Sequence, residues 1–178
     1  MVHKQLDQRG GTERVLYRTA EGLKELGHEV HLFCGKFRIP PPPGTFRHWV
    51  PSFAWPRTAR LLSFAFMAPK IIARHRCDVI MSFDRVTAQD IFRSGGGPHK
   101  AFLQKMVRES SPWRKLWYRI SLYHRCVLAI ERRQLSSEGC RKVITVSEQG
   151  RQEMIECYGL PEEKVAVIHN GVDHERFH

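Results

Sequence analysis

Short apolar runs alternate with longer stretches of helical periodicity along most of this chain, and that alternation fixes the fold class. Glu29 to Cys34 (EVHLFC) alternates polar and apolar residues as a strand does. Asp78 to Phe83 (DVIMSF) is a compact apolar run suited to a buried parallel strand. Lys142 to Val146 (KVITV) and Val165 to Ile168 (VAVI) read as two more strands, and a short one is expected around Phe46–Val50 after the stiff Pro40–Pro43 loop. Between them, residues 12–26 place Val15, Leu16, Ala20, Leu23 and Leu26 on one helical face, with Arg14, Arg18, Lys24 and Glu25 opposite. Thr12 reads as the N-cap of that helix, Glu13 suits its positive end, and Gly27 stops it.

Further helices are expected from about Arg57 to His75, kinked or broken at Pro69, and over a short stretch from Thr87 to Phe92 before the Gly95–Gly97 loop. Ser111 and Pro112 look like N-cap and N1 of one long helix reaching about Gln134. Ser147 caps a last helix ending near Tyr158 and Gly159. Strands alternating with helices imply βαβ units, hence an α/β, doubly wound, Rossmann-like parallel sheet. At 178 residues the chain suits a single domain, assigned to residues 1–169, with 170–178 beginning a connection to something further. A doubly wound domain normally opens on a strand, yet only Met1–His3 precede polar residues here. The first strand is therefore expected to be shortened, and the end at Phe177–His178 to be cut.

The charge balance narrows the partners. Twenty-nine Lys and Arg against 18 Asp and Glu give a formal net charge of +11, which favours phosphorylated small molecules, an anionic membrane surface or nucleic acid without choosing between them. It fits equally a generic basic surface with no dedicated partner. No helix-turn-helix, RNP or zinc-finger signature supports nucleic acid, so none is expected as a partner. The five cysteines are scattered, without C-x-x-C spacing, and fit a reducing cytoplasm. No metal-ligand spacing occurs among the histidines, so no resident metal is expected. Leu61–Ala73 is too short, and too interrupted by Pro69 and Lys70, to span a bilayer. A cytoplasmic protein, peripheral on the inner face of the membrane, fits these features.

Chemistry has three candidate places. Gly10-Gly11-Thr12 runs into a helix start, where glycines admit close approach and free N–H groups attract anions; equally, a tight strand-to-helix turn needs the glycines for their dihedrals alone. Asp84 and Arg85 follow a strand's carboxyl end, the edge where open α/β sheets bind ligands. Arg93, Lys100 and His99 surround the Gly95-Gly96-Gly97-Pro98 loop; the two cations suit phosphates, and His99 can move a proton near neutral pH or sit idle on the surface. Two basic aromatic stretches stand apart. One holds Trp49, Phe53, Trp55, Arg57, Arg60, Phe64 and Phe66, the other Trp113 to Arg119. Such composition suits an interfacial helix at a membrane. For the second stretch the alternative, with Leu116, Trp117, Ile120, Tyr123, Val127 and Ile130 as core at helical spacing, is favoured.

The order and spacing of ITVSEQGRQEMIECYGLPEEKVAVIHNGVDHERFH resemble the segment closing the N-terminal domain of family 4 glycosyltransferases of the GT-B fold. GGTERVLYRTAEGLKELGHEVHLFC is similar to the opening loop, first helix and second strand of that family, and VIMSFDRVTAQDIFRSGGGPHKAF resembles its lipopolysaccharide-core glucosyltransferase subgroup. The resemblance implies the N-terminal, acceptor-side half of a GT-B fold without its C-terminal, donor-binding half. It implies retaining transfer of a hexose from a nucleotide diphosphate sugar such as UDP-glucose to an anionic, lipid-linked saccharide, with no cofactor or metal, and little activity in this half alone. On the matching positions it makes Gly10, Gly11 and Thr12 contacts for the donor diphosphate. His99 lies near the reaction centre, in a role that retaining chemistry need not use as a base. Asp84, Arg85, Arg93 and Lys100 become acceptor contacts, and Asn170, Gly171 and Asp173 an interdomain hinge.

Overall fold

The computed structural model describes residues 1–7, 10–136 and 139–171, the Arg119 side chain excepted. Within them lies one all-parallel sheet built from β1 (Val2–His3), β2 (His31–Cys34), β3 (Phe46–Trp49), β4 (Met81–Ser82), β5 (Ile91–Ser94), β6 (Lys142–Thr145) and β7 (Val165–Val167). Its spatial order is β3-β2-β1-β4-β5-β6-β7. The helices are α1 (Gly11–Glu25), α2 (Arg57–Ile72), α3 (His99–Arg108), α4 (Pro112–Ile120), α5 (Leu122–Ser136) and α6 (Glu148–Tyr158), with a 3-10 turn at Glu162–Lys164. This is the expected doubly wound α/β arrangement.

Two-residue periodicity sends neighbouring side chains of β2 to opposite faces of the sheet. Leu32 packs with Leu16 and Ala20 of α1, while Phe33 packs with Phe64, Ala68 and Ile72 of α2. Beyond β5, Phe92, Val143 and Val165 form a third cluster with Leu135 of α5 and Met154 of α6. Although β1 is only two residues long, it is central, pairing with β2 on one side and β4 on the other. The chain winds outward from β1 through β2 to β3, then crosses back to β4. The gap between the carboxyl ends of β1 and β4 is thus the switch point at which doubly wound sheets receive ligands.

Several local expectations change. Gly10, not Thr12, occupies the N-cap of α1. Pro69 lies inside α2 without breaking it. Within Asp78–Phe83 only Met81–Ser82 join the ladder, and Val79 is exposed. The helix expected over Thr87–Phe92 is absent: Ile91–Ser94 form β5, which fills the sheet between β4 and β6. The Asp90 carboxylate accepts from the Ile80 amide, and its carbonyl from the Arg141 and Lys142 amides, so its backbone is drawn into the sheet. The long helix of 111–134 is two helices, because Ser121 has ψ of 112°, outside the helical range. Between the glycine loop and Ser111, α3 has no counterpart among the expected elements.

Candidate functional site

A cleft of about 440 Å³ opens at the switch point. Its floor is made by His3 of β1 and Lys4 after it, Phe83, Asp84 and Arg85 after β4, and Arg93 and Ser94 of β5. Thr12 and Glu13 of α1 form one wall, and the Gly95–Gly97 loop with Pro98 and His99 the other. Six of the residues expected at a site therefore divide as follows: Thr12, Asp84, Arg85, Arg93 and His99 line one cleft, and Lys100 does not. The Lys100 ammonium donates to the Cys157 carbonyl at 2.7 Å and lies over the Tyr158 ring, so it ties α3 to α6 instead. Gly10, the N-cap of α1, and Gly11, its first residue, are not among the residues lining the cleft.

Space explains two of the glycines. A Cβ on Gly95 would stand 2.9 Å from Thr12 Oγ1, and one on Gly10 would collide with the Glu13 carboxylate, which folds back over it. Gly11 has nothing within 4 Å of such a Cβ and is exposed. Its lack of a side chain serves no contact among the described residues.

Charge in the cleft is arranged around His3, which is buried on β1. Its Nε2 lies 3.6 Å from Glu13 Oε1 and its Nδ1 3.6 Å from Asp84 Oδ2, too far for hydrogen bonds. Lys4 Nζ lies 3.6 Å from the same Asp84 oxygen. Burial acts to raise the Asp84 pKa, but His3, Lys4 and the Arg85 amide and guanidinium outweigh it and hold the carboxyl below its ordinary value. Asp84 Oδ2 is thus an ionised oxygen without a hydrogen-bond donor.

His99 is the first residue of α3, and burial, reinforced by Arg85, lowers its pKa to about 4. Its ring is neutral at physiological pH, so it does not titrate near neutrality as the sequence suggested; it offers hydrogen bonds. Its Nε2 pairs with His124 Nδ1 of α5 at 3.0 Å. The helix start beside it is already occupied by a charge. Glu131 of α5 is almost fully buried and accepts from the His99 amide at 2.8 Å, the Tyr158 hydroxyl at 2.6 Å, and Nε and Nη2 of Arg85 at 3.3 Å. Burial and that bond push the Tyr158 pKa up. The amide groups of α3 are therefore not free to bind a ligand phosphate.

Arg93 is buried, lies over the Phe83 ring at 5.5 Å, and donates from Nη2 to Asn170 Oδ1. It thereby joins β5 to the turn expected as a hinge. Gly171 is described and exposed, and Asp173 lies outside the described residues.

A second, basic groove of about 240 Å³ shares Lys4, Asp84 and Arg85 with the cleft and continues along Lys36, Arg38, Arg57 and Arg60. Arg57 sits over the Tyr123 ring at 4.8 Å. Beyond it, the basic aromatic stretches are largely exposed. Trp55 is 84% exposed, Trp113 82% and Trp117 58%, while Leu116 and Ile120 are exposed too. The core reading of that helix therefore holds for Val127 and Ile130, buried on α5, with Tyr123 half-buried, while Leu116, Trp117 and Ile120 of α4 stay exposed. No helix among the described residues is long and apolar enough to cross a membrane.

Sequence reasoning overlooked His3, Glu131 and His124. Glu131 stands in an arginine-rich run (Glu131-Arg132-Arg133), and a lone acid at a helix's buried face was the available signal. His3 and His124 carry no local pattern.

The Glycosyltransferase Family 4 profile matches residues 9–176. No curated protein matches the chain. Among solved structures, the crystal structure of WaaG, a glycosyltransferase involved in lipopolysaccharide biosynthesis, superposes with a TM-score of 0.85 at 16% identity. The superposition covers 98% of this chain and 45% of that one, so the chain spans less than half the length of that enzyme.

Proposed function

Because the chain belongs to glycosyltransferase family 4, we propose that it forms the acceptor-binding half of a retaining hexosyltransferase whose acceptor is an anionic, lipid-linked saccharide of the lipopolysaccharide-core type. The observation that carries this reading is the basic groove of Lys4, Lys36, Arg38, Arg57, Arg60 and Arg85 running directly into the switch-point cleft. Guanidinium groups bind phosphate through paired N–H donors, and a cleft at the carboxyl edge of a parallel sheet brings the bound end of the acceptor to the reaction. Asp84, held ionised on the cleft floor beside His3 and Lys4, is the carboxylate that meets an acceptor hydroxyl. Neutral His99 supplies a hydrogen bond beside it and does not act as an acid.

The donor, a nucleotide diphosphate hexose such as UDP-glucose, sits mainly on the other half of the GT-B fold, which these residues do not span. Gly11 and Thr12 meet its diphosphate from this side, at the start of α1, whose amide dipoles favour an anion. Transfer in this scheme uses no resident metal or cofactor, and this half alone turns over no sugar. The exposed tryptophans and neighbouring arginines hold the protein against the anionic inner face of a membrane, where a lipid-linked acceptor is presented. The test is transfer of labelled hexose to a phosphorylated core acceptor by a chain carrying both halves. Asp84→Asn is expected to reduce kcat/KM by an order of magnitude or more, and wild-type activity in that variant would refute the assignment.

A further inference from the structure

Three histidines distant in sequence meet on the outer flank of the sheet, away from the cleft. His31 opens β2, His48 lies on β3, and His75 follows α2 by three residues. Each is half-buried, and one ring nitrogen from each lies within 4.8 Å of the others, the one such trio among the described residues. The 31, 48, 75 spacing matches no metal-binding pattern, so the sequence gives no hint of it. The sheet makes the cluster. His31 pairs with Phe46, which sets His48 diagonally opposite on the same face, the face that α2 covers.

The geometry is that of ligands already oriented. His31 Nδ1 is 2.9 Å from His48 Nε2, and His31 Nε2 is 2.7 Å from Glu29 Oε1. A carboxylate only accepts, so Glu29 fixes the His31 proton on Nε2 and leaves Nδ1 with a bare lone pair. That is the carboxylate–histidine arrangement that supports metal-bound imidazole. Aromatic walls restrict the rings: Phe46 stacks on His31 at 4.8 Å, Phe33 stacks on His48 at 4.6 Å, and Phe33 meets His75 edge-on at 5.5 Å. The His48 and His75 ring centroids are 4.1 Å apart. In a tetrahedral zinc site with Zn–N bonds of about 2.0–2.1 Å, ligand nitrogens stand roughly 3.3 Å apart. In the empty cluster His48 Nε2 donates its proton to His31 Nδ1. Moving that proton to His48 Nδ1, opening the 2.9 Å contact by a few tenths of an ångström and turning His75 in from within 4.8 Å places all three lone pairs on one ion.

We propose that His31, His48 and His75 bind one divalent transition-metal ion, Zn2+ by preference, with solvent as the fourth ligand and Glu29 supporting His31. Three neutral imidazoles suit Zn2+ over Mg2+ or Ca2+, which take oxygen ligands. The ion staples the edge strand β3 and the end of α2 to β2, and stabilises the fold by binding it and not the open chain. It takes no part in sugar transfer, so the proposal stands or falls independently of the acceptor assignment.

The test uses the purified chain, free of affinity histidines and stripped by chelator, titrated calorimetrically with Zn2+. One ion per chain at micromolar affinity or tighter is expected, with a rise in Tm. His48→Gln and His75→Gln abolish saturable binding, and Glu29→Gln weakens it by roughly 10–100-fold. Absence of saturable binding at micromolar Zn2+, or binding unchanged in both histidine variants, overturns the proposal. Should the variants unfold, Co2+ bound to the wild-type chain decides. Four-coordinate d–d bands without a thiolate charge-transfer band support the histidine site. A thiolate band moves the ion to the cysteines and overturns it.

Discussion

The Glu131 carboxylate accepts from the His99 backbone amide at 2.8 Å, so a side chain of α5 holds the first turn of α3 and the loop that forms one wall of the cleft. The same carboxylate takes the Tyr158 hydroxyl and the Arg85 guanidinium. One buried acid thus joins α3, α5, α6 and the segment after β4.

Removing it leaves several donors unpaired at once. Glu131→Ala is expected to destabilise the chain by about 3 kcal/mol, a fall in Tm of roughly 6–12 °C, since hydrogen bonds to a buried charge are individually worth about 1.5–3 kcal/mol. Glu131→Gln, which keeps the size and an acceptor oxygen, loses less. Thermal denaturation of the two variants checks the order, and equal losses would contradict it.

His99 makes folding pH-dependent. Burial lowers its pKa from 6.5 to about 4, so the folded chain binds that proton less readily than the unfolded chain. Its contribution is intact above pH 6.5 and is lost as pH falls towards 4. His99→Asn should flatten the decline in that window, read from urea denaturation at stepped pH. An unchanged slope would remove His99 from the account.

Gly11 separates ligand contact from fold. It is exposed with open space around it, so Gly11→Ala should leave Tm within about 2 °C of wild type. In a chain carrying both halves the same substitution should raise the donor KM severalfold if, as proposed, the diphosphate is met at this helix start. An unchanged KM would return Gly11 to the role of a simple turn residue.

Trp113 is exposed on α4, so replacing it with Ala should move stability by no more than about 0.5 kcal/mol. Trp117→Ala also loses the edge-on contact of its ring with buried His124 at 5.7 Å and should cost more. Flotation with anionic vesicles should nevertheless weaken several-fold in each variant. Equal flotation of variants and wild type would remove α4 from the membrane reading.

The sequence carried the sheet well and the site unevenly. Strand runs such as Lys142–Thr145 and caps such as Ser147, whose hydroxyl accepts from the Gly150 amide, are local signals and survive into the fold. β5 was misread as helix because its place depends on β4 and β6 lying on either side, which no local pattern records. That Asp84 and Arg85 line the cleft follows from their place at a strand's carboxyl end, and that Arg93 does so follows from its place beside the glycine loop. Lys100 was not, since its direction is set by the Cys157 carbonyl, 57 residues away. His3 and Glu131 became visible only once β1 and α5 were brought against the same cleft. The His31, His48, His75 trio likewise needed the β2–β3 register.

The central claim is that this chain holds an anionic saccharide in the basic groove. Isothermal titration of the chain with a deacylated, phosphorylated core oligosaccharide tests it most directly, comparing wild type with Arg57→Ala/Arg60→Ala. Both arginines are exposed groove residues, so the double variant keeps its fold. Saturable, salt-sensitive binding to wild type is expected, weakened by roughly tenfold or more in the variant through loss of charge-assisted hydrogen bonds. Equal affinity in the two proteins, or no binding to wild type, would contradict it.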